Sequence, residues 1–479
     1  MNYSIIRYIL CWVLEFQALF LALPCIVAVC YGEKQGWMFL FVAVGCFAVG
    51  ALGRLKKAKS DVFYAREGFV TVSLSWIIMS LTGALPFFLT GEFDTYTDAL
   101  FETISGFTTT GASILSDVEA LSRCTMFWRC FTHWIGGMGV LVLILAVLPL
   151  AGGYNMYLMR AESPGPTVGK LVPRVRHTAR ILYEMYVLMT IVEIITLLLA
   201  GMPLYDSITL SFGTAGTGGF GLLNTGAAEY TATVQIILTV FMILFGINFN
   251  VYFLIRERKG LAALKHEEMR YYLGVIAVAI LLITVNVREF FTTIGETVRH
   301  VAFQVASIIT TTGFSTTDFN KWPEFSKFIL VILMFVGACA GSTGGGIKIS
   351  RVMIMAKLAK NEFSHLIHPK RVRQISLEKH VVTKETLRSI SVFFIAYTFI
   401  YAASVLLISL DNLDFTTNFT AVAATLNNIG PGLGMAGPTS NFSVYSDPAK
   451  YVLMFDMLAG RLELFPMLLL FAPSTWKRN

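Results

Sequence analysis

Charge is what this sequence has least of. Only 14% of its 479 residues are Asp, Glu, Lys or Arg, against about 25% in soluble proteins. Hydrophobic residues make up 55% and the mean hydropathy is +0.67, so a water-exposed globule is a poor description of this chain. The 37 basic residues exceed the 30 acidic ones by 7. In so apolar a chain that surplus belongs in loops on the cytoplasmic side of a bilayer rather than at a nucleic-acid surface. Cysteine is sparse as well. Cys11, Cys25, Cys30, Cys46, Cys124, Cys130 and Cys339 include no C-x-x-C pair and read as small hydrophobes, not disulfides or metal ligands. H-E-x-x-H and G-x-S-x-G are missing, and no nucleophile–base pair or metal-ligand cluster falls at bilayer depth. The chain is therefore not read as an enzyme, and no organic cofactor is expected.

What is present is a series of long apolar segments. Residues 8–31 and 37–52 come first; the former lacks an A-x-A-like cleavage site and reads as a signal anchor. A basic loop with Arg54, Lys56, Lys57 and Lys59 follows. Then one pattern recurs: a long apolar helix, a short amphipathic segment, a Gly-containing turn and a second long helix. The outer helices are expected at 69–89, 181–200, 271–285 and 387–410. The short segments are expected at 98–107, 205–212, 296–309 and 414–426, and the second helices at 126–150, 234–255, 328–354 and 451–471. The resulting division is 1–66 (two N-terminal helices and loop), then repeats 67–160, 161–260, 261–365 and 366–479.

The turns read Thr108-Thr109-Thr110-Gly111, Gly216-Thr217-Gly218-Gly219, Thr310-Thr311-Thr312-Gly313 and Asn427-Asn428-Ile429-Gly430. A hydroxyl- and amide-rich turn at membrane depth must be buried in protein or line a water-filled cavity. The short segments fall below the twenty or so residues needed to span a bilayer, so each enters and leaves on one side. Each opens near an acid, Asp98, Asp206, Glu296 or Asp414, which suits the positive end of a helix dipole. The negative ends then point at the Gly turns and favour a cation there. Gly111, Gly218, Gly313 and Gly430 would supply one four-fold ring of carbonyls, and Thr110, Thr217, Thr312 and Ile429 the ring below. Ten crossings place every basic loop on one side, among them Arg160, Lys170, Arg256, Lys259, Lys265, Arg351, Lys357 and Lys477. The N- and C-termini are then cytoplasmic. The expected fold is an all-α polytopic membrane protein. Four tandem helix–re-entrant pore loop–helix repeats surround a pseudo-fourfold pore, preceded by two extra transmembrane helices.

These residues resemble the Trk/Ktr/HKT potassium-transport superfamily. The likeness rests on Ser105 to Ser113, His133-Trp134-Ile135-Gly136-Gly137-Met138-Gly139, Thr217 to Phe220, Asn248-Phe249-Asn250 and Thr311 to Thr316. It extends to Gly341-Ser342-Thr343-Gly344-Gly345-Gly346-Ile347-Lys348, Asn428 to Gly434 and Gly460-Arg461-Leu462-Glu463. It spans nearly the whole chain, and the extra N-terminal helices fit the longer, Trk-type members. The resemblance implies a gated, channel-like K⁺ pathway in the bacterial inner membrane. It implies K⁺ held at Thr109, Thr110, Gly111, Thr217, Gly218, Thr311, Thr312, Gly313, Asn428, Ile429 and Gly430. It further implies a homodimer with two pores and a cytosolic, nucleotide-binding, TrkA-like regulatory partner. Sodium-favouring members can carry Ser at the first filter Gly, so Gly111 points to K⁺. The Asn-Asn-Ile of the fourth loop departs from the Thr pattern.

Two features are expected to control flow. Glycine weakens a helix by about 1 kcal/mol relative to Ala, so Gly341, Ser342, Thr343, Gly344, Gly345 and Gly346 should unwind the third long helix. In the resembled family such a run is the intramembrane gate; Gly337-x-x-x-Gly341 helix packing is the other reading. Ile347 after the last Gly rules out a Walker A loop. Arg461 lies mid-helix, at a cost of about 3 kcal/mol on the insertion scale. It either pairs with Glu463 or another unit, or stands on the pore axis as a barrier to cations. His365-x-x-His368 reads as solvated, and Lys370-Arg371-Val372-Arg373 faces anionic lipid, a regulatory subunit or water. The rival to a channel is a K⁺/H⁺ or K⁺/Na⁺ symporter working by alternating access. Its mark would be buried titratable groups at the site, and the four loops contain none. A non-conducting scaffold would leave the four polar turns unexplained.

Overall fold

The structure is a computed structural model that describes residues 1–56, 64–139, 175–257, 260, 263, 265–369, 374–378 and 380–477. Part of the sequence reading therefore lies outside the described residues. This applies to 140–150 of the first inner helix, the boundary at 160/161, and basic residues such as Lys57, Lys59, Arg160, Lys170, Lys259, Lys370 and Lys379.

Helices Tyr3–Tyr31 and Gly36–Arg54 form an antiparallel N-terminal hairpin. Small residues set its close approach. A Cβ on Gly50 would lie 2.7 Å from Glu15 Cγ and 2.8 Å from the Cys11 carbonyl. Arg54 closes the open end, 2.9 Å from Glu15 and over the Trp12 ring. Gln17 fastens the hairpin to the first outer helix, Ala65–Leu89: its amide donates to Met79 O, and Thr82 Oγ1 donates to its oxygen.

The other outer helices are Val175–Leu199, Glu267–Asn286 and Lys384–Ile408. The short helices are Tyr96–Phe107, Leu204–Gly216, Ile294–Ile309 and Phe415–Leu426. Their starts are locally encoded. Thr95, Thr293 and Asp414 accept the backbone N–H of Asp98, Glu296 and Thr417, each three residues on. Asp98 also binds Lys450 of the fourth unit at 2.6 Å.

Among the described residues six helices are long and apolar enough to cross a membrane, or seven if Ala232–Phe245 and Phe249–Arg256 count as one span. The ten expected crossings are not all of this kind, because the second helix of every unit fails to run on unbroken. In the first unit Arg123–Met138 stops at Gly139, φ 74°. In the second, the pair just named bends by 89°. In the third, Glu324–Val336 and Ile349–Ile367 are separated by 337–348, and in the fourth Asp447–Arg461 and Phe465–Phe471 by 462–464. Only the third break was expected. The breaks at 246–248 and 462–464 span three residues each, with Glu463 and Leu464 at φ 56° and 68° in the latter, too few to interrupt an apolar pattern.

Among the described residues one element departs from an all-helical fold. Ser376–Leu377 and His380–Val381 pair as a two-residue hairpin, docked on the start of Glu267–Asn286. The Glu268 N–H donates to Glu378 Oε1 at 3.0 Å and the Glu378 N–H to Glu267 Oε2 at 3.2 Å. His266 lies 3.0 Å from Glu378. Burial pushes its imidazole down, but Glu378, with help from Glu268 and Glu267, outweighs that and raises its pKa above the ordinary value. A raised histidine stabilises below its ordinary range and loses that effect as pH climbs through the raised value. Hydrogen-exchange protection of the Val382 amide, bonded to Ile375 O at 2.8 Å, should therefore be greater at about pH 6 than at about pH 8.5. His266→Gln should flatten the difference. Equal protection at both pH values in the unmodified chain would count against the pairing.

Candidate functional site

The four short helices end in one repeated backbone pattern. The first loop residue turns left-handed although it carries a side chain: Thr109, Thr217, Thr311 and Asn428 have φ of 56°, 54°, 59° and 55°. Two residues on, Gly111, Gly219, Gly313 and Gly430 are again at positive φ, 78°, 79°, 90° and 102°. Between them the N–H of Thr110, Gly218, Thr312 and Ile429 bonds back into its short helix, to Ser105, Gly213, Ser307 and Ala424 O, each at 2.8 Å. Alternating the sign of φ turns successive carbonyls toward the same side, which is how a chain presents a ladder of oxygens.

The loops close on one another. A Cβ on Gly111 would collide with Gly218 O, on Gly219 with Thr312 O, on Gly313 with Ile429 O, and on Gly430 with Thr110 O. The order runs first to second to third to fourth and back to first, a closed ring. Gly111, Gly219, Gly313 and Gly430 together line a cavity of about 160 Å³ on one side of it. Here glycine is required twice over, by the positive φ and by the neighbouring carbonyl.

This register differs from the sequence reading at one loop. Gly219, not Gly218, stands in line with Gly111, Gly313 and Gly430, so Gly218 corresponds to Thr110 and Thr217 to Thr109. Two adjacent glycines made the register ambiguous. Gly218 is small for a separate reason: a Cβ there would run into the ring of His133. Counting back from the last Gly of each loop would have resolved it. The fourth loop replaces Thr by Asn428, whose Nδ2 donates to Thr110 Oγ1 at 3.0 Å and to Met457 O at 2.9 Å. It stitches the last loop to the first.

The run 341–346 lies beneath this ring. The Gly345 N–H donates to Thr311 Oγ1 at 2.6 Å. The Phe249 N–H bonds Gly341 O at 3.0 Å, and Thr343 Oγ1 bonds Phe245 O at 3.3 Å, so the break in the second unit holds the break in the third. Arg461 reaches the same place from the fourth unit. Its guanidinium donates to Thr109 Oγ1 at 3.1 Å, to Thr343 O at 3.0 Å, to Gly137 O at 2.8 Å, and to Gly136 O. Glu463, one candidate partner for it, is paired with Arg351. A cavity of about 60 Å³ lies below, bordered by Gly137, Gly341, Lys348, Arg461 and Glu463.

Three supporting residues were given no role by the sequence, although His133 and Lys348 lie in motifs quoted above. Lys348, buried and at φ 79°, donates its ammonium to Gly344 O. Glu268 accepts the Ala340 N–H at 2.7 Å and Asn248 Nδ2 at 3.3 Å. His133 accepts the Phe220 N–H at Nε2, 3.2 Å, which leaves Nδ1–H to donate to Gly106 O at 2.8 Å. Each stands among other polar or small residues, Glu268 beside His266 and Glu267 and Lys348 beside Ser350 and Arg351, so local sequence does not single it out or name its partner. The arrangement can replace the hydration shell of a small cation with main-chain oxygens, and a strand of chain and a fixed positive charge stand under it.

Comparison with known proteins agrees with this geometry. The family described as TrkH, cation transport protein, matches residues 37–478. The Trk system potassium uptake protein TrkH of Salmonella typhimurium is 36% identical over 462 residues, 95% of each chain. The protein of that name from Halomonas elongata is 34% identical over 100% of both chains. The crystal structure of the potassium transporter TrkH from Vibrio parahaemolyticus superposes with a TM-score of 0.89 over 100% of both chains, at 31% identity. The chain belongs to the TrkH cation transport family.

Proposed function

We propose that this chain is the potassium-translocating membrane subunit of a Trk-type uptake system, working as a gated, channel-like pathway. The observation that carries it is the closed ring of four loops, each with its glycine seated against the carbonyl of the next. A K⁺ ion arriving from the cavity beside Gly111, Gly219, Gly313 and Gly430 would exchange water for the carbonyls of Thr110, Gly218, Thr312 and Ile429. Those of Thr109, Thr217, Thr311 and Asn428 would serve below. The C-terminal ends of four short helices add negative potential at that point. Loop 341–346 closes the path underneath, and the Arg461 guanidinium lowers cation occupancy by repulsion.

The same reading makes the chain a multi-pass inner-membrane protein with cytoplasmic termini, supported by the basic loops. It acts as a homodimer beside a TrkA-like nucleotide-binding partner, with repeat boundaries near 67, 161, 261 and 366. Symport by alternating access is the less favoured mechanism, because the ring is built of main-chain oxygens, hydroxyls and amides and carries no titratable side chain.

The test is ⁸⁶Rb⁺ uptake into liposomes holding the purified chain, with and without competing Na⁺; absence of alkali-cation movement under any regulator would remove the proposal. Arg461→Ala should raise uptake roughly tenfold at unchanged selectivity, since one half-buried positive charge near the path is lost. Deleting 341–346 should also raise it; unchanged flux in both variants would take the gate away from these residues. Gly219→Ala should cut uptake by roughly tenfold or more, because the added Cβ meets a carbonyl and the backbone sits where side chains are strained. A folded Gly219→Ala protein with normal uptake would show that the second loop is not in the register described above.

A further inference from the structure

Glu102 and Arg129 form an ion pair at 2.6 Å with side chains 0% and 2% exposed. A charged pair so far from water has to be fully hydrogen-bonded to persist, and where its bonds go is informative. Glu102 Oε1 also accepts from Ser113 Oγ at 2.9 Å, and Oε2 from the Ile114 N–H at 3.1 Å. Arg129 Nη1 donates to Gly221 O at 3.0 Å, and its guanidinium lies 3.7 Å from the centre of the Phe220 ring. Four pieces of chain meet at this one pair: the first short helix, the first inner helix, the segment leaving the first loop, and the segment leaving the second.

The pair breaks the pseudo-fourfold symmetry. Glu102 sits eight residues before Thr110. The matching places before Gly218, Thr312 and Ile429 hold Leu210, Gln304 and Ala421, so the first loop alone has an acid there. Ser113 and Ile114 follow Gly111 by two and three residues, and Phe220 and Gly221 follow Gly219 by one and two. The pair therefore grips both chains just past the ring, at the seam between the first and second loops. Arg129 also borders the cavity lined by the four ring glycines.

We infer that the Glu102–Arg129 pair is a selectivity-determining positioning element, which fixes the spacing of the first two loops and hence the fit of the ring to its cation. This rests on the proposal that the ring is the cation filter. Neither side chain touches the ion; both act through the backbone they hold. Loss of the pair lets that seam relax, and a ring free to adjust at one edge discriminates less against a smaller cation.

The experiment uses the full-length purified chain in liposomes and compares the Na⁺ and K⁺ concentrations that halve ⁸⁶Rb⁺ uptake. Glu102→Gln and Arg129→Gln should each shift the ratio toward Na⁺ by about tenfold, within the coupling range of contacting groups. Arg129→Lys, which keeps the charge but not the fork, should fall between. The double variant should be no worse than either single one, because the two act as a unit. A monodisperse Glu102→Gln protein with an unchanged ratio would overturn the inference, even if total uptake or thermal stability fell, since a merely structural brace predicts that outcome. Should the charge variants fail to fold, Phe220→Leu removes the ring beneath the guanidinium while keeping the site apolar. A shifted ratio there supports the pair's role and an unchanged one overturns it. A parent chain that moves no alkali cation sinks the filter reading and the inference with it; a selective parent with indifferent variants sinks the inference alone.

Discussion

A peptide carbonyl held in an apolar phase must have a partner, and the rest of this molecule depends on how four loops answer that demand. Each loop sends its middle N–H back into its own short helix at 2.8 Å, which commits the adjoining carbonyls to point away from the helix. Four such loops close into a ring, and in the proposed reading their oxygens face one centre with a cation as the partner. The outer helices, the capped short helices and the N-terminal hairpin bring those four turns to one depth and hold them there. The threonine and asparagine at left-handed φ store strain that the surrounding contacts keep in place.

The broken inner helices follow the same logic in reverse. Breaking a helix frees carbonyls that its own N–H groups no longer satisfy, and here two cations, buried Lys348 and half-buried Arg461, take some of them up. Arg461 is met by Gly136, Gly137 and Thr343 O, and Lys348 by Gly344 O. The Arg461 guanidinium is thus solvated by three backbone carbonyls and the Thr109 hydroxyl. The loop 341–346 and the two cations are mutually dependent, so moving the loop changes where both positive charges sit. In the proposed gating role this would link an obstruction and an electrostatic barrier in one element.

The ring is not symmetric in its supports. His133 and the Glu102–Arg129 pair brace the first and second loops, Thr311 rests on Gly345, and Asn428 ties the fourth loop to the first. A single chain with four unlike repeats can place a different side chain at each quarter. A homotetrameric ring would have to repeat every one of them four times.

Much of this was written in the sequence. Long apolar runs fixed the outer helices and the N-terminal hairpin, because lipid leaves a chain few other options. Thr95, Thr293 and Asp414 marked three of the short helix starts through local capping, which involves only neighbouring residues, while the second start, at Pro203, has no side-chain cap. The four Gly turns were visible for the same reason. Long-range geometry was not. Whether Gly218 or Gly219 enters the ring depends on the His133 ring across the interface, which no local pattern encodes. The helix end at Gly139 and the break at 246–248 meet partners from other units, the Tyr183 hydroxyl donating to Gly139 O at 2.7 Å and the Cys339 N–H to Gly246 O at 3.1 Å. Arg461 could be singled out as a costly charge, but only packing decided that it turns to Thr109 and Thr343 while Glu463 takes Arg351. The sequence determined which segments cross or enter the bilayer, since burial of backbone in lipid is a local, one-dimensional constraint. The tertiary structure decided register, gate and charge pairing, since each is settled by contacts between residues tens to hundreds of positions apart.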